Sequence, residues 1–214
     1  MQKTEPAATR PAAPPAASAN YLTTREAAEL LGVSVGTVLN MVERGQLEAW
    51  RTDGGHRRIT MASVLAHLAR RSGGGQPPEP ERRGDLDVMV IEDDEFLLEV
   101  YRDQFANWEL PLNLRFAGNG VEGLIELGRE RPDVLIIDLR MPVVDGFAVV
   151  RTLRDRPGFA GMDIIVITGL DEDRIAYQGG LPPGIVVWPK PVPFHQLRGF
   201  LEARLASLQR AGSR

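Results

Sequence analysis

Cysteine is absent from the 214 residues. That excludes disulfides, thiol nucleophiles and cysteine-ligated metals, and it points to a reducing, cytoplasmic setting. Long apolar runs are also missing. Nothing approaches the roughly 18–20 residues that span a bilayer, so no membrane partner is expected. Residues 1–19 are interrupted by Pro6, Pro11, Pro14 and Pro15 and hold no apolar stretch of the kind a secretory signal needs.

What remains is a globular composition, 43% hydrophobic and 25% charged, with an uneven charge distribution. Residues 20–72 carry seven Arg against five Asp or Glu, a balance of +2; residues 85–205 carry twelve Lys or Arg against twenty-one Asp or Glu, a balance of −9. A mildly basic small segment joined to an acidic larger one suggests two domains with different partners. Two stretches separate the folded parts. Residues 1–19 are Ala/Pro-rich and read as a disordered tail, because they bury too little apolar surface to offset ordering entropy. Residues 72–84, SGGGQPPEPERRG, read as a flexible linker. The expected organisation is a tail at 1–19, a small domain at 20–71, the linker, a larger domain at 85–206 and a tail at 207–214.

In the small segment, Thr23 and Glu26 fit a capping box ahead of a helix from Thr24 to Leu31, ended by Gly32. Ser34 caps a second helix that stops at Gly45. Two short helices across about three residues make a helix-turn-helix. Leu47–Arg51, the turn TDGG and His56–Ile59 read as a β-hairpin, and Thr60 caps a third helix beginning at Met61. Val38, Leu39 and Val42 have the spacing of core residues, and His67 reads as a surface or packing residue.

The larger segment alternates strand and helix. Apolar strands are expected at Val88–Ile91, Leu112–Phe116, Val134–Asp138, Ile164–Thr168 and Ile185–Trp188, with a final helix from Pro193 to about Gln209. Nearly all-apolar strands separated by helices argue for a parallel sheet covered on both faces. In such a sheet the functional site lies at the C-terminal strand ends.

The unusual residues sit at those ends: Glu92, Asp93 and Asp94 after the first strand, Asp138 at the third, Thr168 at the fourth, and Lys190 and Pro191 after the fifth. A lone acid at a strand end is ordinarily a cap or a solvated turn, and Asp94 and Asp145 fit that description. Several carboxylates brought together repel one another unless a cation lies between them. Hard oxygen donors without cysteine favour Mg²⁺. A carboxylate there can take a phosphoryl group, with the metal and a lysine neutralising the transferring oxygens.

The segments VMVIEDDE, DVLIIDLRMPVVDG, VITG and PKP, in this order, resemble the receiver domain of two-component response regulators. The spacing agrees: 45 residues from Asp93 to Asp138, 30 to Thr168 and 22 to Lys190. The resemblance implies a flavodoxin-like, five-stranded parallel α/β domain. It makes Asp138 the phosphoacceptor, Glu92 and Asp93 the metal-binding acids, the Arg140 backbone carbonyl a further metal ligand, Thr168 the switch hydroxyl and Lys190 the motif lysine, with a cis Lys190–Pro191 bond. The implied partner is a sensor histidine kinase or phosphotransfer protein. No general base stands beside Asp138, so external enzymatic turnover is not expected. Two features depart from the pattern. Val187 occupies the position of the rotating aromatic, and Trp188, one residue on, points to the other strand face. The segment DEDRIAYQGGLPPG carries breaks that predict a short or irregular fourth helix. Arg140 and Leu170, two residues beyond Asp138 and Thr168, are read as governing water access to the phosphoryl group.

The segment LTTREAAELLGVSVGTVLNMVERGQLEAWRTDGGHRRI resembles the winged helix-turn-helix of the MerR and excisionase-type DNA-binding families. The resemblance places Ser34, Thr37, Asn40 and Arg44 toward the major groove, and Arg51, His56, Arg57 and Arg58 beside phosphates. The combined expectation is a response regulator that controls transcription through DNA, as a homodimer when active. The alternative is a signalling adaptor or phosphorelay protein whose helix-turn-helix binds a protein.

Overall fold

The computed structural model describes residues 21–52, 54–71, 84–142, 144–155 and 157–212. The expected tail at 1–19, nearly all of the linker at 72–84, and residues 213 and 214 lie outside them. None of the helices among the described residues is long and apolar enough to cross a membrane.

The first module contains β1 (Tyr21–Thr23), α1 (Thr24–Leu31), α2 (Val35–Glu43), β2 (Ala49–Arg51), β3 (Arg57–Thr60) and α3 (Met61–Arg71). The capping box at α1 is complete: Glu26 N–H donates to Thr23 Oγ1 at 3.1 Å, and Thr23 N–H donates to Glu26 Oε2 at 2.6 Å. Gly32 ends α1 at φ 62°, a left-handed position that suits glycine. Ser34 caps α2. The hairpin β2–β3 forms as expected, and β1 adds a third antiparallel strand in the order β1–β3–β2. Three residues are too few to show a period in the sequence; pairing with β3 is what makes β1 a strand. Leu22, Ala27, Leu30, Val38, Ile59 and Val64 form the module's core.

The second module runs β4 (Leu86–Ile91), α4 (Glu95–Ala106), β5 (Leu112–Ala117), α5 (Gly120–Arg129), β6 (Val134–Ile137), α6 (Gly146–Arg154), a 3₁₀ turn (Pro157–Phe159), β7 (Asp163–Thr168), α7 (Glu172–Tyr177), β8 (Val186–Pro189) and α8 (Phe194–Gly212). The sheet is parallel in the order β5–β4–β6–β7–β8. Residues of β4 and β6 are buried without alternation, because helices cover both sheet faces. One face packs on α4 and α8 through Tyr101, Phe105, Leu197 and Leu201. The other packs on α5 and α6 through Leu124, Leu127, Phe147 and Leu153.

Three features follow from the chain's own chemistry; the short helix and the facing of Val187 and Trp188 agree with the sequence, and the length of the last helix does not. Helix α7 has only six residues, because Gly179, Gly180 and Gly184 all take positive φ in the loop that follows it. Helix α8 runs on to Gly212, so residues 207–212 are helical rather than a tail. On the edge strand β8, Trp188 packs edge-on against Phe200 with ring centroids 6.3 Å apart, while Val187 faces solvent.

Candidate functional site

Strands β4 and β6 are neighbours, with Ile91 beside Ile137, so the residues that follow each strand emerge at the same level. These are Glu92 and Asp138. Asp138 N–H donates to the Ile91 carbonyl at 3.2 Å, and Arg140 N–H donates to Asp138 Oδ1 at 3.0 Å. Asp94, third in the acidic run, caps α4 by accepting the Leu97 N–H at 3.2 Å. Asp145 likewise caps α6, accepting from Phe147 N–H at 3.1 Å.

Lys190 arrives from the end of β8. Its Nζ donates to Asp138 Oδ2 at 2.7 Å and lies 2.8 Å from Glu92 Oε2. Glu92 and Asp138 are both buried, and carboxylate oxygens of Glu92, Asp93 and Asp138 fall within 4.8 Å of one another. Burial pushes the Glu92 carboxyl above its ordinary value, with the Lys190 hydrogen bond pulling the other way. At Lys190, burial opposes the charge, but hydrogen bonds to Asp138 and Glu92 outweigh it and hold the ammonium above its usual range. The pair is asymmetric: burial decides the outcome at Glu92 and pairing decides it at Lys190.

Three carboxylates against one ammonium leave two negative charges in excess, which a divalent cation would balance. The donors are all hard oxygens. A set of hard carboxylate oxygens of this kind suits Mg²⁺.

Thr168 ends β7, wholly buried. Its hydroxyl accepts a long hydrogen bond from Leu170 N–H at 3.4 Å, and its carbonyl accepts Lys190 N–H at 2.9 Å. The peptide bond after Lys190 is cis. Arg140 is exposed at the mouth of the site and Leu170 is buried beside Thr168.

The parallel sheet thus gathers the acids, the lysine and the threonine at one edge. A family model for the response regulator receiver domain matches residues 88–197, more than half of the chain.

The chain belongs to the response regulator receiver family.

A second family model, a helix-turn-helix domain, matches residues 21–72 of this response regulator. The polar-differentiation response regulator DivK of Brucella anthropi is 35% identical over 99 residues, covering 44% of this chain and 76% of DivK. The probable C4-dicarboxylate response regulator DctR of Bacillus subtilis is 31% identical over 123 residues, covering 56% of this chain and 52% of DctR. Response regulator MprA of Mycobacterium leprae is 32% identical over 121 residues, covering 55% of this chain and 50% of MprA. The chain thus spans about half the length of DctR and MprA. Among solved structures, the receiver domain of the DNA-binding response regulator merR from Colwellia psychrerythraea 34H superposes at TM-score 0.50 with 25% identity, over 56% of this chain and 97% of its own.

In the helix-turn-helix of this response regulator, the eight expected contact residues separate by environment. Thr37, Asn40, Arg44, Arg51 and His56 are exposed. Ser34 is exposed as well, but its hydroxyl is engaged in capping, 2.9 Å from Thr37 Oγ1. Arg57 and Arg58 are half-buried on β3, and Arg57 pairs with Glu43 at 3.6 Å. Two residues join this face that sequence reasoning did not place there. Gln46 and His67 line a shallow groove of about 300 Å³ together with Thr37, Asn40 and Arg44. Gln46 follows the Gly45 stop and His67 comes from α3; only the fold, with α2 and α3 both packed on α1, brings them together.

Proposed function

We propose that Asp138 accepts a phosphoryl group from a histidine kinase or phosphotransfer protein, and that the phosphorylated receiver governs DNA binding by the module at residues 20–71. The observation that carries this reading is Lys190 bridging two buried carboxylates, Glu92 and Asp138, beside Asp93. An Asp138 oxygen attacks the phosphorus of a phosphohistidine; the P–N bond breaks, the imidazole leaves, and an aspartyl phosphate forms. Glu92, Asp93, Asp138 and the Arg140 carbonyl would hold Mg²⁺, which would neutralise charge on the phosphoryl oxygens. Lys190 is already within bonding distance of Asp138 and transfers its hydrogen bond to the new phosphoryl oxygens. The Thr168 hydroxyl, which accepts the long contact from Leu170 N–H, turns to donate a hydrogen bond to a phosphoryl oxygen. Water then cleaves the acyl phosphate, returning the carboxylate and releasing inorganic phosphate. Domains at 20–71 and 85–206, a cytoplasmic setting and a homodimeric active form belong to the same proposal.

Incubation with labelled acetyl phosphate and Mg²⁺ tests the acceptor. Wild type takes up label and Asp138→Asn takes up none; label persisting in the variant refutes the assignment. Internal engagement of Ser34 and Arg57 favours a second reading, in which the helix-turn-helix binds a protein. A salt-dependent shift on genomic DNA, weakened in Arg44→Ala/Arg51→Ala, supports the first reading; absence of any shift in either phosphorylation state supports the second.

A further inference from the structure

The helix-turn-helix does not stand apart from the receiver. Helices α1 and α3 lie against α5, and one continuous apolar cluster runs from Leu22, Leu30 and Val64 into Leu124, Phe147 and Leu153, with Val121 and Ile125 of α5 packed on it. Beside this contact is a cleft of about 370 Å³, walled by Tyr21, Glu48, Thr60 and Met61 on one side and by Ala148, Arg151, Thr152 and Asp155 of α6 on the other. With the module docked in this way, Thr37, Asn40 and Arg44 remain exposed. The docking therefore does not cover the reading helix.

Arg151 has a second set of contacts. Its Nη2 donates to the backbone carbonyls of Gln178 and Gly180, at 2.5 and 2.9 Å. One turn on, Arg154 Nη2 donates to the Gly184 carbonyl at 2.6 Å. Both arginines of α6 thus hold the loop 178–184, which replaces the missing turns of the fourth helix. That loop follows Thr168, Leu170 and α7 directly in the chain. It is held by charge-assisted bonds to three carbonyls, and glycines at positive φ make its backbone easy to rearrange.

We infer that the α5–α6 face is the receiver's output surface, occupied by the chain's own helix-turn-helix, and that Arg151 is the positioning residue that couples the phosphorylation site to it. This rests on Asp138 being the phosphoacceptor. Movement of Thr168 toward a phosphoryl group pulls Leu170 and α7. The loop carbonyls then move relative to Arg151, and α6 passes the displacement to the cleft wall at Ala148 and Thr152. The readout leaves by α6 rather than by the edge at β8, where Val187 offers no ring to rotate.

The test is hydrogen–deuterium exchange of the full chain, with and without acetyl phosphate and Mg²⁺, in wild type, Arg151→Ala, Arg151→Lys and the control Arg198→Ala on the opposite face. Phosphate uptake is measured in parallel. In wild type and Arg198→Ala, phosphorylation changes amide protection in α1 and α3 by at least about threefold. In Arg151→Ala and Arg151→Lys, uptake is retained and that change is lost. An unchanged response of α1 and α3 in both Arg151 variants overturns the coupling, as does absence of any response in phosphorylated wild type. Absence of phosphate uptake by wild type instead overturns the acceptor assignment. If Arg151→Ala fails to fold, Arg151→Lys decides, because it keeps the charge and most of the stem but its ammonium ends one bond short of the Nη2 that reaches both carbonyls.

Discussion

Asp133 shows how burial sets a single residue's charge. It lies at the opposite end of the sheet from Asp138, buried beside Asp87, and its Oδ2 accepts the Asp87 N–H at 3.1 Å. Burial raises its pKa, and the Asp87 hydrogen bond and nearby Arg204 and Arg131 only partly offset this. A carboxyl whose folded pKa is raised stabilises the fold fully below its unfolded pKa, and that contribution is lost as pH rises through the folded value. Asp133→Asn removes the titration and keeps an oxygen for the Asp87 N–H. Urea denaturation from pH 4 to pH 7 should therefore show the variant gaining on wild type as pH rises; a gap moving the other way contradicts the burial argument. At the mouth of the proposed phosphorylation site, Arg140 is exposed and Leu170 is buried. If they govern water access, Arg140→Asn and Leu170→Glu change the dephosphorylation rate several-fold while uptake continues, as followed by loss of label over time. Equal rates in all three proteins would remove both residues from that role.

Among the elements, the turn from β6 into α6 is the tightest place near Asp138. A methyl group on Gly146 would come 2.5 Å from the Asp138 carbonyl oxygen and 2.6 Å from the Leu139 Cα, both backbone atoms that cannot swing aside. Gly146→Ala should cost about 1–3 kcal/mol in chemical denaturation, against the usual helix preference for alanine, and should slow phosphate uptake. On β8, Trp188→Ala should cost roughly 2–3 kcal/mol, the low end for a large ring because it is only half-buried. Val187→Ala, on the exposed face, should stay within about 0.5 kcal/mol. These contrasts mark what was readable in advance. Thr23, Glu26, Ser34 and Asp94 act on amides within three residues, so their caps are written in the local sequence. The alternation of Val187 and Trp188 is equally local. The pairing of Lys190 with Glu92 spans 98 positions and was legible only because motif spacing stood in for geometry. The grip of Arg151 on Gln178 and Gly180 left no trace, since any residue supplies a backbone carbonyl. Nor did the docking on α5, whose partly apolar outer face reads in sequence like an ordinary half-buried helix.

For the whole molecule, charge sets the terms of the proposed DNA binding. The module at 20–72 has a balance of +2, and it is joined to a receiver segment with −9. Docked on α5, the module carries that acidic body toward any duplex it approaches. If it binds DNA, a single copy, with a second helix of nine residues and one wing, should bind weakly and lose affinity steeply with salt. Two copies on half-sites about 34–36 Å apart would bind together far more strongly. The stoichiometry can be read from one substitution. Each phosphate contact removed lowers the slope of log K against log salt by about one. Arg44 is exposed and Arg57 is paired to Glu43, so Arg44 is the better reporter. If the active form is a homodimer, Arg44→Ala removes two contacts per complex. The slope for the phosphorylated protein then falls by about two, and where two monomers assemble on the site, occupancy at low saturation rises with the square of monomer concentration. A fall near one with linear concentration dependence identifies a single bound copy. An unchanged slope takes Arg44 off the phosphate backbone and returns weight to a protein partner for the groove it lines.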